Sequence, residues 1–154
     1  MKSFIFLLTL VAGGFPTFAA EIAGKAGAGK VAESGAPVAQ PMKITIGKRV
    51  FTATLQDNAA AVAFKAMLPL SLTMHDVNRN EKAFDLPSDL PTADANPRTI
   101  RTGDLMLWNS RTVVLFYQSF ATSYSDTRLG QMDDASGLAA VLGAGSVKVA
   151  FELK

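Results

Sequence analysis

The stretch TGDLMLWNSRTVVLFYQ, residues 102–118, decides the fold. Its two apolar runs, at 105–108 and 113–118, flank the polar tetrapeptide NSRT. Apolar runs of strand length joined by a short loop with Asn and Ser predict a β-hairpin. Because neither run alternates strictly between apolar and polar residues, we expect both faces of this hairpin to be buried, as in the wall of a barrel or a sandwich.

Shorter segments on both sides of this hairpin predict further strands. Their apolar patterns lie at residues 42–46, 49–55, 70–77, 82–86, 127–132 and 146–153. Residues 87–101 are rich in proline and polar side chains, which indicates a long surface loop. So many short apolar strands need partners for their edges, and this favours a mainly β fold that closes into a barrel.

Two short helices complete the predicted elements. The first covers residues 59–68, with Asp57 or Asn58 as its N-cap. The second covers residues 137–142, and we expect the Asp133-Asp134 pair to cap it.

The first 41 residues differ in composition from the rest of the chain. Residues 1–19 combine an N-terminal Lys, an apolar run and small residues near Ala19, a pattern typical of a secretory signal peptide. The run is shorter than the roughly 20 apolar residues of a membrane-spanning helix, although an uncleaved anchor is the alternative. Residues 20–41 are rich in Ala, Gly and Pro and predict a flexible linker. The folded domain is then 42–154, in a periplasmic or secreted protein with no stable membrane span after signal cleavage.

Composition excludes several classes of function. The chain has no cysteine, so disulfides and thiol catalysis are excluded. Acidic and basic residues nearly balance from residue 42 onward without a clustered basic face, and we expect no nucleic-acid partner. The stretch GKAGAGK at residues 24–30 is similar to a phosphate-binding loop. However, no strand precedes it and Val31 replaces the required hydroxyl, so it does not predict a nucleotide site.

Several short sequence motifs, in their order along the chain, resemble those of the cyclophilin-like domain family of small bacterial proteins. The resemblance extends over residues 42–154. The matching motifs are MKITIG at 42–47, FTATLQDN at 51–58, LP at 68–69, GDL at 103–105, LFY at 115–117, LGQ at 129–131 and the final strand at 147–153. This resemblance implies a closed eight-stranded barrel with two short helices, in a branch of the family that has no settled activity.

The resemblance also implies that the isomerase motif of true cyclophilins is missing. Those enzymes carry Phe-His-Arg-Val in the strand after the first helix, and the Arg stabilises the twisted X-Pro bond. Here His75 is followed by Asp76. X-Pro isomerisation has a barrier of roughly 18–20 kcal/mol, and losing one stabilising donor commonly costs about 10²–10³ in rate. Arg111 is the possible substitute, but it falls in the predicted hairpin turn, where we expect a solvated charge.

The single histidine limits the remaining chemistry. A hydrolase with a histidine base would have to use His75, and no Gly-x-Ser-x-Gly motif is present. We expect His75 to be a partly buried strand residue with a hydrogen-bonded ring. One histidine and no cysteine are too few for a typical zinc or copper site, so we expect no metal and no cofactor.

Aromatic residues cluster in and just after the central hairpin, at Trp108, Phe116, Tyr117, Phe120 and Tyr124. The simplest interpretation is a core with a packed loop. The alternative is a groove in which polar atoms of Tyr117 and Gln118 lie beside apolar walls, while Arg98 and Arg101 attract an anionic group. The candidate ligand-binding residues are His75, Arg101, Trp108, Tyr117 and Gln118, and none has a predicted catalytic role.

The sequence therefore favours a noncatalytic exported domain that binds a small molecule or a proline-containing peptide. The alternative function is an enzyme, either a divergent prolyl isomerase or a hydrolase that uses His75.

Overall fold

The computed structural model describes residues 40–154, which form ten strands and two helices. The predicted signal peptide and all but the last two residues of the predicted linker lie outside the described residues. The elements, in chain order, are β1 (Gln40–Ile46), β2 (Arg49–Leu55), α1 (Ala59–Ala66), β3 (Leu70–Val77), β4 (Glu81–Asp85), β5 (Thr99–Ile100), β6 (Asp104–Trp108), β7 (Thr112–Phe116), β8 (Phe120–Ala121), β9 (Thr127–Met132), α2 (Leu138–Leu142) and β10 (Val147–Leu153).

Eight of these strands close into an antiparallel barrel in the order β1-β10-β3-β4-β7-β6-β9-β2. The predicted fold class, a mainly β closed eight-stranded barrel with two short helices, is confirmed. Closure brings β2 against β9, where Gly130 pairs with Leu55. A Cβ atom at Gly130 would lie 2.7 Å from the backbone oxygen of Thr54, so this contact requires glycine.

The central hairpin is buried on both faces, as its two apolar runs predict. Leu105, Leu107, Val113 and Leu115 face the barrel interior and join the main core. The alternating residues Met106, Val114 and Phe116 face outward into a second apolar cluster with Ala83 and Ile100. The strands β4, β7 and β6 thus form a wall with a core on each side, because successive side chains on a strand point to opposite faces.

Both helices contribute buried apolar residues to the main core. Asn58 caps α1, and its side-chain oxygen accepts a hydrogen bond of 2.8 Å from the Ala61 N–H. The cap predicted for α2 is wrong, since Gly137 occupies the N-cap position without a side-chain bond. Asp133 instead accepts a bond from the Thr54 hydroxyl, and Asp134 accepts one from the backbone of Ser136. No helix within residues 40–154 has the length and apolar character to cross a membrane.

The segment 87–101, which the sequence predicts to be a loop throughout, contains the short strand β5. This short strand pairs with β8 in a separate two-stranded sheet with Ile100 opposite Phe120. Arg111 lies in the hairpin turn and is exposed, as expected, but its guanidinium is not free. It donates hydrogen bonds of 2.8 and 2.9 Å to the carbonyls of Leu86 and Pro87, which fixes the start of the long loop.

A buried ion pair lies on the inner side of the wall. The side chain of Lys82 is fully buried, and its Nζ lies 2.7 Å from Asp76 Oδ2. Nζ also donates to the carbonyls of Gly143 and Gly145, at 2.9 and 2.7 Å. The Tyr117 hydroxyl donates to the same Asp76 oxygen at 2.8 Å. The hydrogen bonds from Lys82 and Tyr117 hold the pKa of Asp76 below its ordinary value.

This network predicts that Lys82→Met costs about 3 kcal/mol in the free energy of unfolding, because it leaves two carbonyls and a carboxylate without their shared donor. Chemical denaturation measures the loss. Lys43→Met is the control, since Lys43 forms an exposed ion pair with Glu152 at 3.2 Å and its removal should cost less than about 1 kcal/mol. Equal losses for the two variants would contradict the assigned role of Lys82.

Candidate functional site

The outer face of the wall carries a cavity of about 390 Å³, which we call the wall pocket. Its apolar lining comes from β4, β7, β5 and β8 through Ala83, Val114, Phe116, Ile100 and Phe120. These residues belong to the second apolar cluster, or pack against it, and are separated from the main core by the thickness of the wall. The volume lies within the range typical of small-molecule sites, about 300–1,000 Å³.

Aromatic side chains border the wall pocket. The rings of Phe116 and Phe120 lie 5.7 Å apart at an angle of 60°. Trp108 and Tyr124 also line the pocket, yet they are 54% and 74% exposed. Large aromatic side chains this exposed gain little from packing within the domain, so their faces are available to a bound molecule.

Asp126 provides a buried carboxyl group to the wall pocket. Only 8% of the residue is exposed, and its Oδ1 atom has no hydrogen-bond partner within the described part of the chain. Burial and the nearby charge of Asp94 raise the pKa of Asp126. Reciprocal backbone hydrogen bonds with Ala95, at 3.1 and 3.3 Å, fix this residue against the long loop.

Glu81 is the second carboxyl group of the wall pocket. It is the first residue of β4 and pairs with Phe116 of β7, which places its side chain on the outer face. Burial, followed by the charges of Asp126 and Asp76, raises the pKa of Glu81 to about 7. The carboxyl group of Glu81 therefore changes its ionisation near neutral pH, whereas an ordinary glutamate is fully ionised there.

His75 lines the wall pocket from β3 but differs from its predicted environment. The prediction of a partly buried, hydrogen-bonded ring is wrong, because the residue is exposed and its ring has no hydrogen bond to residues 40–154. Asp76 cannot orient this ring, since it follows His75 on the strand and its carboxylate is bound to Lys82 and Tyr117 on the other face. No lysine or arginine is among the described residues that line the pocket.

The five predicted ligand-binding residues do not all lie together. His75 and Trp108 line the wall pocket. Tyr117 belongs to the network of Asp76 and Lys82, where burial and then the bond to Asp76 raise its pKa to about 12. Gln118 is exposed, and its backbone N–H donates to the carbonyl of Asn80 at 3.3 Å.

Arg101 lines a neighbouring pocket of about 400 Å³ under the long loop, together with Arg128. The Arg128 guanidinium donates to the buried carboxylate of Asp104 at 2.8 Å, so its charge is already compensated. Asp126 also borders this second pocket. Of the two arginines expected beside the aromatic cluster, Arg101 thus lines the neighbouring pocket and Arg98 lines neither pocket.

Two important residues of the wall pocket, Glu81 and Asp126, were missed by the sequence analysis. Glu81 lies one residue before the predicted strand 82–86 and looks like an ordinary turn charge. Asp126 ends the polar segment 121–126, whose composition is typical of a loop. The alternation of side chains along β4 could have indicated the position of Glu81, because Glu81 must lie on the same face of the strand as Ala83. Nothing local in the sequence indicates the burial of Asp126.

The raised pKa of Glu81 predicts a stability that depends on pH. The folded state favours the protonated form, so this contribution is complete below the unfolded value of 4.5 and is lost as the pH rises through about 7. Glu81→Gln removes the ionisation. We expect the variant to match the wild type near pH 4 and to exceed its unfolding free energy by about 2 kcal/mol above pH 8.

Urea unfolding at several pH values measures this difference. Glu152→Gln on β10 is the control, because the Glu152 side chain is 46% exposed in its ion pair with Lys43, so its substitution should change the unfolding free energy by less than about 1 kcal/mol. A Glu81→Gln variant that is no more stable at pH 8 than the wild type would contradict the assigned environment.

Comparison with known proteins agrees with this architecture. The chain is similar in fold to a hypothetical protein from Archaeoglobus fulgidus known from its solution structure, with a TM-score of 0.54 and 16% identity over 79% of this chain and 99% of that one. A search of curated proteins found no match. The profile of the cyclophilin-like family matches residues 44–152, which is most of the chain and nearly the whole barrel. The chain therefore belongs to the cyclophilin-like family.

Proposed function

We propose that this protein is an exported binding domain and that the wall pocket takes a small molecule or a short peptide segment. The observation that carries the proposal is the pocket itself. It combines an apolar floor, exposed aromatic faces at Trp108 and Tyr124, and convergent polar groups at His75, Glu81 and Asp126. Concave apolar sites with a few convergent polar groups are the usual form of ligand sites.

The chemistry of the pocket favours binding over prolyl isomerisation. An isomerase stabilises the twisted X-Pro bond with a hydrogen-bond donor, and within the described residues the pocket lining includes neither arginine nor lysine. The resemblance to true cyclophilins puts Asp76 near the position of this arginine, and the carboxylate of Asp76 is bound to Lys82. Arg111, the other candidate, is bound to the carbonyls of Leu86 and Pro87.

A hydrolase based on His75 has little support in this geometry. A His base in hydrolytic enzymes is held by a carboxylate and accepts a proton from a neighbouring nucleophile. The carboxylate next to His75 in sequence faces the other side of β3 and is bound to Lys82. His75 is then better placed as a polar contact at the edge of the pocket.

Export is supported by the N-terminal segment. Residues 1–19 have the order of charge, apolar run and small residues that signal peptidases process, and the following segment to residue 41 has the composition of a linker. A chain without cysteine needs no particular redox environment to fold. We therefore place the domain in the periplasm or outside the cell.

A binding screen tests the proposal. Indole compounds and short proline-containing peptides are added to the isotope-labelled protein, and amide shifts are followed by NMR. We expect binders to shift resonances of Ala83, Val114 and the Trp108 indole. Trp108→Ala should weaken binding about fivefold, because one exposed aromatic side chain contributes on the order of 1 kcal/mol.

Val62→Ala on α1 is the matched control. Val62 is 60% exposed, close to the 54% of Trp108, and it lies outside the pocket lining. Its affinities should equal those of the wild type. Shifts that map away from the wall pocket, or no binding by either class of compound, would contradict the proposal. Turnover of a proline peptide above the uncatalysed rate, abolished by His75→Ala, would favour the enzymatic alternative.

A further inference from the structure

We infer that the ligand of the wall pocket carries an organic cation, an amine or a quaternary ammonium group, on an apolar body. The inference deepens the proposed function and rests on it. The unpartnered, buried carboxyl oxygen of Asp126 and the neighbouring carboxyl group of Glu81 form an acidic end to a mostly apolar cavity.

No lysine or arginine is among the described residues that line the wall pocket, so neither carboxyl group of the acidic end has a basic partner there. Lys82 is next to Glu81 in sequence, but its ammonium group is on the inner side of the wall with Asp76. Arg128 borders the adjacent pocket and is paired with Asp104. A buried carboxylate without a partner is costly, and a bound cation removes that cost.

A metal ion does not fit this acidic end. Within residues 40–154, no group of three or more His, Asp or Glu side chains is arranged to hold one. Calcium takes six to eight oxygen ligands, and zinc usually takes four ligands. The pocket offers two carboxyl groups and the imidazole of His75, and its other polar lining residues are asparagines and threonines, which carry no charge.

The aromatic border favours an organic cation on independent grounds. Trp108 and Tyr124 expose ring faces beside the cavity, and Phe116 and Phe120 form part of its lining. The negative face of an aromatic ring attracts ammonium groups, and sites for quaternary ammonium ligands are commonly built from several such rings. An anion would meet both carboxyl groups without a compensating cation and is disfavoured.

Proton exchange should accompany binding. The titratable or charged groups around Glu81 are Asp126, Asp76 and His75, with Arg79 in the adjoining turn. Because burial raises the pKa of Glu81 to about 7, a bound cation favours the ionised form and displaces a proton near neutral pH. Affinity for a cation should therefore rise between pH 5 and pH 8.

Three compounds with one indole body test the inference. Tryptamine carries an ammonium group, tryptophol a neutral hydroxyl and indole-3-acetate a carboxylate. Calorimetric titration of the full chain at pH 8 should show tryptamine binding at least tenfold more tightly than tryptophol, with indole-3-acetate weakest. At pH 5 tryptamine is still charged. There we expect the ratio of its affinity to that of tryptophol to be at least fivefold smaller than at pH 8.

Glu81→Gln and Asp126→Asn should each lower the ratio of tryptamine affinity to tryptophol affinity at pH 8 to less than three. The affinity for tryptophol should stay nearly unchanged. Glu152→Gln should behave as the wild type, because Glu152 is a half-exposed residue of β10 outside the pocket lining. The pH series on the unmodified chain keeps the test valid if a variant fails to fold.

Two different failures can be distinguished. In the first, tryptophol or indole-3-acetate binds as tightly as tryptamine, and Trp108→Ala weakens the binding of all three compounds. This result overturns the cation inference and leaves the proposed binding function intact. No binding by any of the three compounds contradicts both proposals.

Discussion

The register of β7 between β4 and β6 is the constraint on which both the core and the wall pocket depend. Val113 and Leu115 face the barrel interior, so Val114 and Phe116 must face outward. A slip of one residue would exchange the two sets and remove the floor of the pocket along with part of the core. Both faces of the wall are covered, and this explains why the hairpin is apolar almost throughout.

The same alternation separates the charges of β4. Lys82 points inward and is compensated by Asp76, whereas Glu81 points outward beside Asp126 without a basic partner in the described pocket lining. Neighbours on a strand face opposite sides, so the lysine next to Glu81 cannot neutralise it. The acidic character of the wall pocket thus follows from the way the barrel uses its buried lysine.

Much of the fold could be predicted from the sequence, because strand length, turn residues and the Asn58 cap are local signals. The site could be predicted only in part. Phe116 and Tyr117 must face opposite sides, but an almost continuous apolar run does not indicate which one faces outward. The burial of Asp126 depends on its backbone pairing with Ala95 in the long loop, a contact that no local pattern predicts.

The outer face of the wall holds carboxyl groups in a buried environment without a basic partner in the described pocket lining. Carboxyl ¹³C NMR titration of the unliganded protein measures this environment most directly, residue by residue. We expect Glu81 to titrate at about 7 and Asp126 to titrate above its ordinary value of 3.8. Titration of both groups at their ordinary values of 4.5 and 3.8 would contradict this expectation.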